Sequence, residues 1–172
     1  MNQAEIKVVD LSPPEGAQLI IGQAHFIKTV EDLYETLVTS SPSAKFGVAF
    51  CESSGPTLVR FDGNDSELIK KASEMGMKLS AGHSFIILLR GIFPLSVLNR
   101  VKWVEEVATV YCATGNPVRV LIADVGDGRA VLGVADGIKS KGLETDDEKQ
   151  KRKAEKKSKE AAKKEASEKE SE

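Results

Sequence analysis

The segment Ser80-Ala81-Gly82-His83-Ser84 carries the residue types in this 172-residue chain that are best suited to chemistry. The neutral imidazole of a histidine such as His83 can act near pH 7 as a base, a nucleophile or a hydrogen-bond partner. Gly82 lets a ligand or another backbone approach closely, and Ser84 adds a hydroxyl group beside the ring. His83 is therefore the candidate catalytic residue, with Gly82 and Ser84 as candidate substrate contacts. The alternative is a structural histidine that bonds to a carbonyl at the end of a strand.

Two further segments, Glu52-Ser53-Ser54-Gly55 and Ala113-Thr114-Gly115-Asn116, are rich in small hydrogen-bond donors. Such residues can present hydroxyl and backbone N–H groups to a phosphate, although ordinary tight turns use the same residue types. A third segment, Gln23-Ala24-His25-Phe26, places the other histidine beside a glutamine at a strand end, where a structural role is the more common one. The candidate substrate-binding residues from the first two segments are Ser53, Ser54, Gly55, Gly115 and Asn116.

Several common catalytic signatures are absent from the sequence. No Gly-x4-Gly-Lys-Ser/Thr motif occurs, which excludes a P-loop nucleotide site. Gly126-Asp127-Gly128 lacks the third glycine of a dinucleotide fingerprint and precedes a predicted strand rather than a helix. Two histidines and two separated cysteines provide no ligand cluster for a structural zinc ion. Asp124, Asp127 and Asp136 have the oxygen ligands that Mg²⁺ uses, but acidic residues between strands more often form turns.

Apolar periodicity and turn residues predict eight strands and three helices in the order ββαββαβαβββ. Strict βαβ alternation fails at three places, so we expect an α/β fold: a layered domain with a mixed β-sheet packed by helices. The almost wholly apolar run Ser84–Leu89 is typical of a central strand covered on both faces. The helices are expected to begin near Thr29, Asp65 and Pro94, and the second to end at Gly76. The predicted strands are Ile6–Leu11, Gln18–His25, Lys45–Cys51, Thr57–Phe61, Ser84–Leu89, Val107–Cys112, Val118–Asp124 and Ala130–Ala135.

The charge pattern divides the chain into a domain, residues 1–142, and a charged tail, residues 143–172. The domain carries 14 Lys and Arg against 16 Asp and Glu, and the tail carries 10 of each. The domain is therefore not basic, and no nucleic-acid partner is expected. From Glu144 onward the tail has no Leu, Ile, Val or aromatic residue, so it is expected to be a disordered segment or a solvated helix. A partner-binding arm is the alternative.

The sequence also predicts a cytoplasmic protein that does not enter a membrane. Its longest apolar run, Phe85–Leu89, is far shorter than the ~20 residues of a membrane span. The first 15 residues lack the basic start and apolar run of a signal peptide. Cys51 and Cys112 lie among apolar residues and are expected to be reduced thiols that pack in the core.

Seven segments that occur in order along the chain carry a family resemblance. They are HFIKTVEDLYETL, GVAFCESSGPTLVR, GND-x-EL, AGHSFIILLR, FPLSVLNRVK, CATGNPVRVLIA and GRAVLGVADG. Together they resemble the adenosine-specific kinase family over about residues 4–138. The resemblance implies an α/β layered domain that assembles as a homo-oligomer, with a trimer favoured. It also implies binding of adenosine and AMP, and a stable phosphohistidine in the AGHSF segment, here at His83.

The function that this resemblance implies is phosphoryl transfer to adenosine, giving AMP, through a phosphorylated His83. The backbone near Ser53–Gly55 and Gly115-Asn116 is then expected to cradle the phosphate. Arg90 is the expected counter-charge, unless it is a solvated arginine at the end of a strand. ATP and Mg²⁺ are compatible with this chemistry, although the sequence identifies neither the donor nor a metal. The alternatives are a non-catalytic module that senses AMP and a structural oligomer that needs no ligand.

Two positions depart from the family pattern. Gly115 stands where alanine or serine is more usual, and Arg119 stands where an acidic residue is usual. The second departure reverses a charge near the turn that is expected to face the phosphate. The charged tail is expected to have no counterpart in the family.

Overall fold

The computed structural model describes residues 4–26 and 28–169, with side chains through residue 158. The strands are β1 (Glu5–Leu11), β2 (Ala17–Ala24), β3 (Lys45–Cys51), β4 (Val59–Gly63), β5 (Ser84–Arg90), β6 (Val107–Thr114), β7 (Val118–Asp124) and β8 (Arg129–Asp136). The helices are α1 (Thr29–Ser40), α2 (Ser66–Leu79), α3 (Leu98–Lys102) and α4 (Asp146–Lys169). The predicted α/β fold, with its eight strands and three helices before the tail, is confirmed.

The strands form two sheets. The large sheet has the order β4-β3-β5-β2-β6, and the small sheet has the order β1-β7-β8. Neighbouring strands are antiparallel in every pairing among the described residues. In this detail the structure differs from the one mixed sheet expected from the sequence, because β1 leaves β2 to pair with β7, over a hundred residues further along the chain.

The helices explain how βα alternation and antiparallel pairing coexist. Helix α1 leads from β2 to β3, which both pair antiparallel with β5 and are therefore parallel to each other. Helix α2 likewise leads from β4 to β5, with β3 between them. Each crossover thus joins two parallel strands and leaves room for one antiparallel strand, which is the split βαβ arrangement.

The core lies on both faces of the large sheet. One face packs against α1 and α3 through residues such as Leu33, Phe46 and Ile87. The other face packs against α2 and the small sheet through residues such as Leu68, Ile86 and Val120. Strand β5 is central and buried on both faces, as its continuous apolar sequence predicted.

Two helix ends differ from their predicted positions. Helix α2 continues past Gly76 to Leu79, and Ser80 follows in the left-handed conformation with φ +46°. Gly76 is instead a packing residue, because a Cβ atom there would lie 3.0 Å from Val59 Cγ1. The third helix is interrupted: a 3-10 turn at Pro94–Ser96 precedes the short α3.

Residues before and after the Ile138–Lys139 bond form two separate compact units. The second unit contains α4, whose described side chains are exposed. Thr145 and Glu148 cap this helix reciprocally, since the Thr145 N–H donates to the Glu148 carboxylate and the Glu148 N–H donates to Thr145 Oγ1. The predicted domain boundary at residue 142 stays a prediction. No helix in the described part of the chain is long and apolar enough to span a membrane.

Candidate functional site

The candidate site lies at one end of the large sheet, where β2 and β3 end and β5 begins. His83 occupies the position just before β5. Its backbone N–H donates to the Cys51 carbonyl over 2.7 Å, and its carbonyl accepts from the Ala24 N–H over 2.9 Å. The backbone of His83 is therefore attached to both neighbouring strands.

His83 adopts a left-handed backbone conformation with φ +63°. Among the described residues, the other non-glycine residues with positive φ are Thr57 and Ser80, and both lie in the segments that border this end of the sheet. A non-glycine residue in this conformation costs on the order of 1–3 kcal/mol, and such residues cluster at functional sites. The conformation therefore favours a functional role for His83 over a merely structural one.

The His83 ring is held by three side chains. Its Nε2 atom lies 2.7 Å from the Ser53 hydroxyl oxygen. The Phe50 ring stacks on it with a centroid distance of 6.1 Å, and the His25 ring meets it edge-on with centroids 4.9 Å apart. The protein's two histidines thus lie together, although they are far apart in the sequence.

A pocket of about 360 Å³ opens beside these rings. This volume lies within the range of small-molecule sites. One wall is aromatic and the other is a polar loop between β3 and β4. The lining residues are His25, Phe26, Phe50, Glu52, Ser53, Ser54, Gly55, Pro56, Arg60 and His83.

The loop from Glu52 to Leu58 is held closed by the Glu52 carboxylate. That carboxylate accepts from the Leu58 N–H over 3.0 Å and pairs with Arg60, and both contacts lower the pKa of Glu52. The Glu52 N–H also donates to the Leu58 carbonyl. Within the described chain, the N–H groups of the intervening residues 53–55 donate to no protein acceptor. They are available to an anion such as a phosphate.

The chain matches the model of a protein family described as adenosine specific kinase over residues 9–158. This match covers most of the chain. The protein belongs to the adenosine specific kinase family. The match extends into α4, so the expectation that the tail has no counterpart in the family is wrong for its first part.

A solved structure has a similar fold and sequence. The PH1918 protein of Pyrococcus horikoshii OT3 is 42% identical, with a TM-score of 0.87. The similarity covers 91% of this chain and 96% of that one. No curated protein matches the chain.

Among the predicted site residues, the structure of this family member brings His83, Ser53, Ser54 and Gly55 to one pocket. Gly82 lies against Ser53, since a Cβ atom on Gly82 would be only 2.7 Å from Ser53 Cβ. Ser84 does not line the pocket. Its side chain is buried, and its hydroxyl donates to the Ala81 carbonyl over 2.6 Å. Ser84 therefore helps to shape the turn that carries His83.

Arg90, Gly115 and Asn116 lie away from the His83 pocket, so within one chain they do not meet Ser53–Gly55 as the sequence analysis expects. Arg90 is at the other end of β5, about 20 Å away at ~3.4 Å per residue, and pairs with Glu67 over 3.0 Å. Gly115 lies beside Gln18 at the start of β2. Asn116 donates to the Asp136 carboxylate over 3.0 Å. The sequence could not indicate which turns share an end of the sheet.

Arg119, where the sequence departs from the family pattern, also lies away from the His83 pocket. Arg119 is on β7 of the small sheet, directly opposite Asp10 on β1, and its side chain is exposed. The reversed charge therefore belongs to a sheet face outside the pocket.

The sequence reasoning did not assign His25, Phe26, Phe50 and Arg60 to the site. The sequence marks His25 and Phe26 only as part of a strand end that also carries Gln23. Their position follows from the pairing of β2 with β5, in which Gln23 lies opposite Ser84. Two histidine-bearing segments at the adjacent ends of paired strands must meet, but that signal becomes visible only when the pairing is known.

The three aspartates considered for Mg²⁺ do not converge. Asp124 pairs with Lys7 and Arg129, and Asp136 accepts from Thr114 and Asn116 at the other end of the small sheet. Asp127 lines a neighbouring cavity of about 480 Å³ that shares Glu52 and Ser53 with the His83 pocket. The described residues contain no cluster of three or more metal ligands.

Proposed function

We propose that the pocket binds adenosine and that the protein transfers a phosphoryl group to it through His83, giving AMP. The observation that carries the proposal is His83 itself. Its backbone is held in a strained conformation between two strands, and its ring faces a pocket beside the N–H groups of residues 53–55, which donate to no acceptor in the described part of the chain. Membership of the adenosine specific kinase family supports the choice of substrate and reaction.

The aromatic wall of the pocket suits the adenine base, and the polar loop suits the phosphoryl group. Phe26 offers exposed aromatic surface, whereas the buried Phe50 ring supports His83, and base–aromatic stacking is favourable by about 1–3 kcal/mol per base. The N–H groups of residues 53–55 and the Arg60 guanidinium supply donors and positive charge for the phosphoryl oxygens. Transfer of this kind depends on positioning and charge neutralisation rather than on covalent strain.

The reaction divides into two displacements. In the first, a ring nitrogen of His83 attacks the donor phosphorus, an N–P bond forms, and the donor departs with the electron pair of the broken P–O bond. In the second, a hydroxyl oxygen of adenosine attacks the same phosphorus and gives up its proton, and the N–P electron pair returns to His83. Ser53 fixes the ring for both steps because its hydroxyl bonds to Nε2.

ATP as the donor and Mg²⁺ as a metal remain part of the proposal. Mg²⁺ is usually held by one or two carboxylates together with phosphate oxygens. The Glu52 carboxylate already bonds to Leu58 and Arg60. The carboxylate that could hold Mg²⁺ is therefore that of Asp127 in the neighbouring cavity. A bound ion there would neutralise phosphate charge.

The alternative is a module that senses AMP without turning it over. Incubation with labelled ATP and adenosine separates the two, since only the enzyme yields labelled AMP. AMP and adenosine should also raise the melting temperature far more than GMP or CMP, because a ligand that binds only the folded state stabilises it. Equal shifts from all four compounds would reduce the site to a generic phosphate pocket.

We also propose that the chain forms a homo-oligomer, with a trimer favoured, in the cytoplasm. The outer face of the small sheet exposes Ile6, Val8, Leu121 and Leu132. Asp10 and Arg119 lie side by side at the edge of this patch, so a second copy could pair with both charges. The cytoplasmic location is supported by the two cysteines, because both are free thiols and reducing compartments keep thiols in that state. Sedimentation should give a mass above that of one chain, and Val8→Asp should lower it; a monomeric wild type would contradict the proposal.

A further inference from the structure

The His83 pocket contains a second imidazole, that of His25, which the transfer described so far does not use. The two ring centroids are 4.9 Å apart and the ring planes are inclined by 70°. Both rings line the same pocket. A hydroxyl group that attacks phosphorus on one ring therefore lies close to the other ring.

His25 is held in this position by the fold. It directly follows β2, and its backbone N–H donates to the Glu106 carbonyl over 2.7 Å. The preceding residue, Ala24, donates to the His83 carbonyl. The two histidines are thus joined through one backbone hydrogen bond as well as through their rings, so their spacing does not depend on a flexible loop.

The titratable residues that line the pocket are His25, Glu52, Arg60 and His83. Arg60 has no lone pair to accept a proton at neutral pH. The Glu52 carboxylate accepts from the Leu58 N–H and pairs with Arg60, so its oxygens are already engaged. His83 carries the phosphoryl group. His25 is the base that remains, and its exposure lets it release a proton to water.

We propose that His25 is a second catalytic residue, the general base that takes the proton from the attacking nucleoside hydroxyl. This inference rests on the proposed phosphoryl transfer through His83. In the second displacement the O–P bond forms, the N–P bond breaks with its electron pair returning to His83, and the hydroxyl proton moves to a ring nitrogen of His25. His25 then loses that proton to solvent. In the reverse direction, protonated His25 gives the proton to the oxygen that leaves phosphorus.

The consequence is that the two halves of the reaction depend differently on His25. Loading of His83 from phosphoramidate needs no acid at His25, because the leaving amine is protonated in that compound. Discharge to adenosine needs the base, and loading from AMP needs the acid. General acid–base catalysis contributes about 10²–10⁴-fold, so the loss of His25 should slow both of these steps by at least about 100-fold.

The test compares wild type, His25→Ala and His83→Ala. Each protein is incubated with labelled phosphoramidate, and bound phosphate is measured before and after adenosine is added. In His25→Ala we expect the rate of discharge to fall at least about 100-fold further than the rate of loading, and to recover with added imidazole, which enters the space left by the side chain. His83→Ala should not load at all.

Each other outcome overturns a distinct statement. Normal discharge of His25→Ala would remove His25 from the reaction and leave the proposed function intact. Failure of His25→Ala to load, with an unchanged melting temperature, would place its role in the first displacement and contradict the inference. Slow discharge that imidazole does not restore would assign His25 a structural role. Absence of labelled phosphate on the wild type would overturn phosphoryl transfer through His83, and the inference with it.

Discussion

At the scale of single residues, the site is marked by backbone conformation as much as by side chains. His83 and Ser80 flank the same turn, and both have positive φ. Glycine adopts this conformation freely, whereas other residues pay about 1–2 kcal/mol. A sequence pattern could identify His83 as a candidate because of its neighbours Gly82 and Ser84. It does not reveal the backbone conformation of His83, which hydrogen bonds to Cys51 and Ala24 hold on both sides.

His83→Gly should be more stable than His83→Ala by about 1 kcal/mol, because only glycine relieves the left-handed backbone. Both variants should lack phosphoryl transfer. Urea unfolding measures the difference. The matched pair Ser80→Gly and Ser80→Ala, at φ +46°, should differ in the same direction. Equal stabilities within each pair would show that the conformation carries no cost.

Gly82→Ala should disturb the site through Ser53. The new Cβ atom would lie 2.7 Å from Ser53 Cβ, so Ser53 must move and its bond to His83 must change. Overpacking of this kind costs about 1–3 kcal/mol. We expect that loss in unfolding free energy together with slower phosphate loading. Gly133→Ala is the control, because nothing lies within 4 Å of the added atom; equal effects in the two variants would exclude the contact as the cause.

At the scale of elements, the sequence predicted strands and helices well and their pairing poorly. Periodic apolar residues define an element locally, so the start of α1 and all but the last residue of β5 are predictable from the sequence. Pairing depends on contacts between distant segments, such as β1 with β7. Accordingly, Ser53–Gly55 lies beside His83, whereas Gly115 and Asn116 do not. Both segments are rich in small hydrogen-bond donors, but they lie at opposite ends of the large sheet.

The small sheet should lose stability in acid through Asp124. This carboxylate on β7 bonds to Lys7 on β1, the Gly126 N–H and Arg129 on β8, which together lower its pKa to about 2. A lowered pKa contributes stability above the ordinary value near 4, and that contribution disappears as the pH falls toward about 2. In urea unfolding, the advantage of wild type over Asp124→Asn should therefore shrink between pH 4 and pH 2. If the unfolding free energies of the two proteins kept a constant difference over this pH range, Asp124 would not be the source of the acid sensitivity.

At the scale of the whole molecule, the chain divides between Ile138 and Lys139 into a unit that bears the site and a charged unit that contains α4. The family match spans the whole first unit from residue 9 and part of α4. The site residues all belong to the first unit. The apolar residues that build its two core clusters also precede Ile138.

Truncation after Gly142 should leave stability and nucleoside binding unchanged. The described residues it removes are exposed and contribute to neither core cluster. Peripheral changes of this kind normally stay below about 1 kcal/mol. A larger loss in unfolding free energy, or weaker binding of AMP in calorimetry, would show that the tail contributes to the fold or the site.

The most direct test of phosphoryl transfer through His83 is the chemical nature of the phosphate on the protein. After incubation with a labelled donor, wild type should carry phosphate that is labile in acid and stable in alkali, as a phosphohistidine is. His83→Ala should carry none while keeping its fold and part of its affinity for adenosine. Label that persists in His83→Ala, or label in wild type that survives acid as a phosphate ester on Ser53 would, contradicts His83 as the carrier.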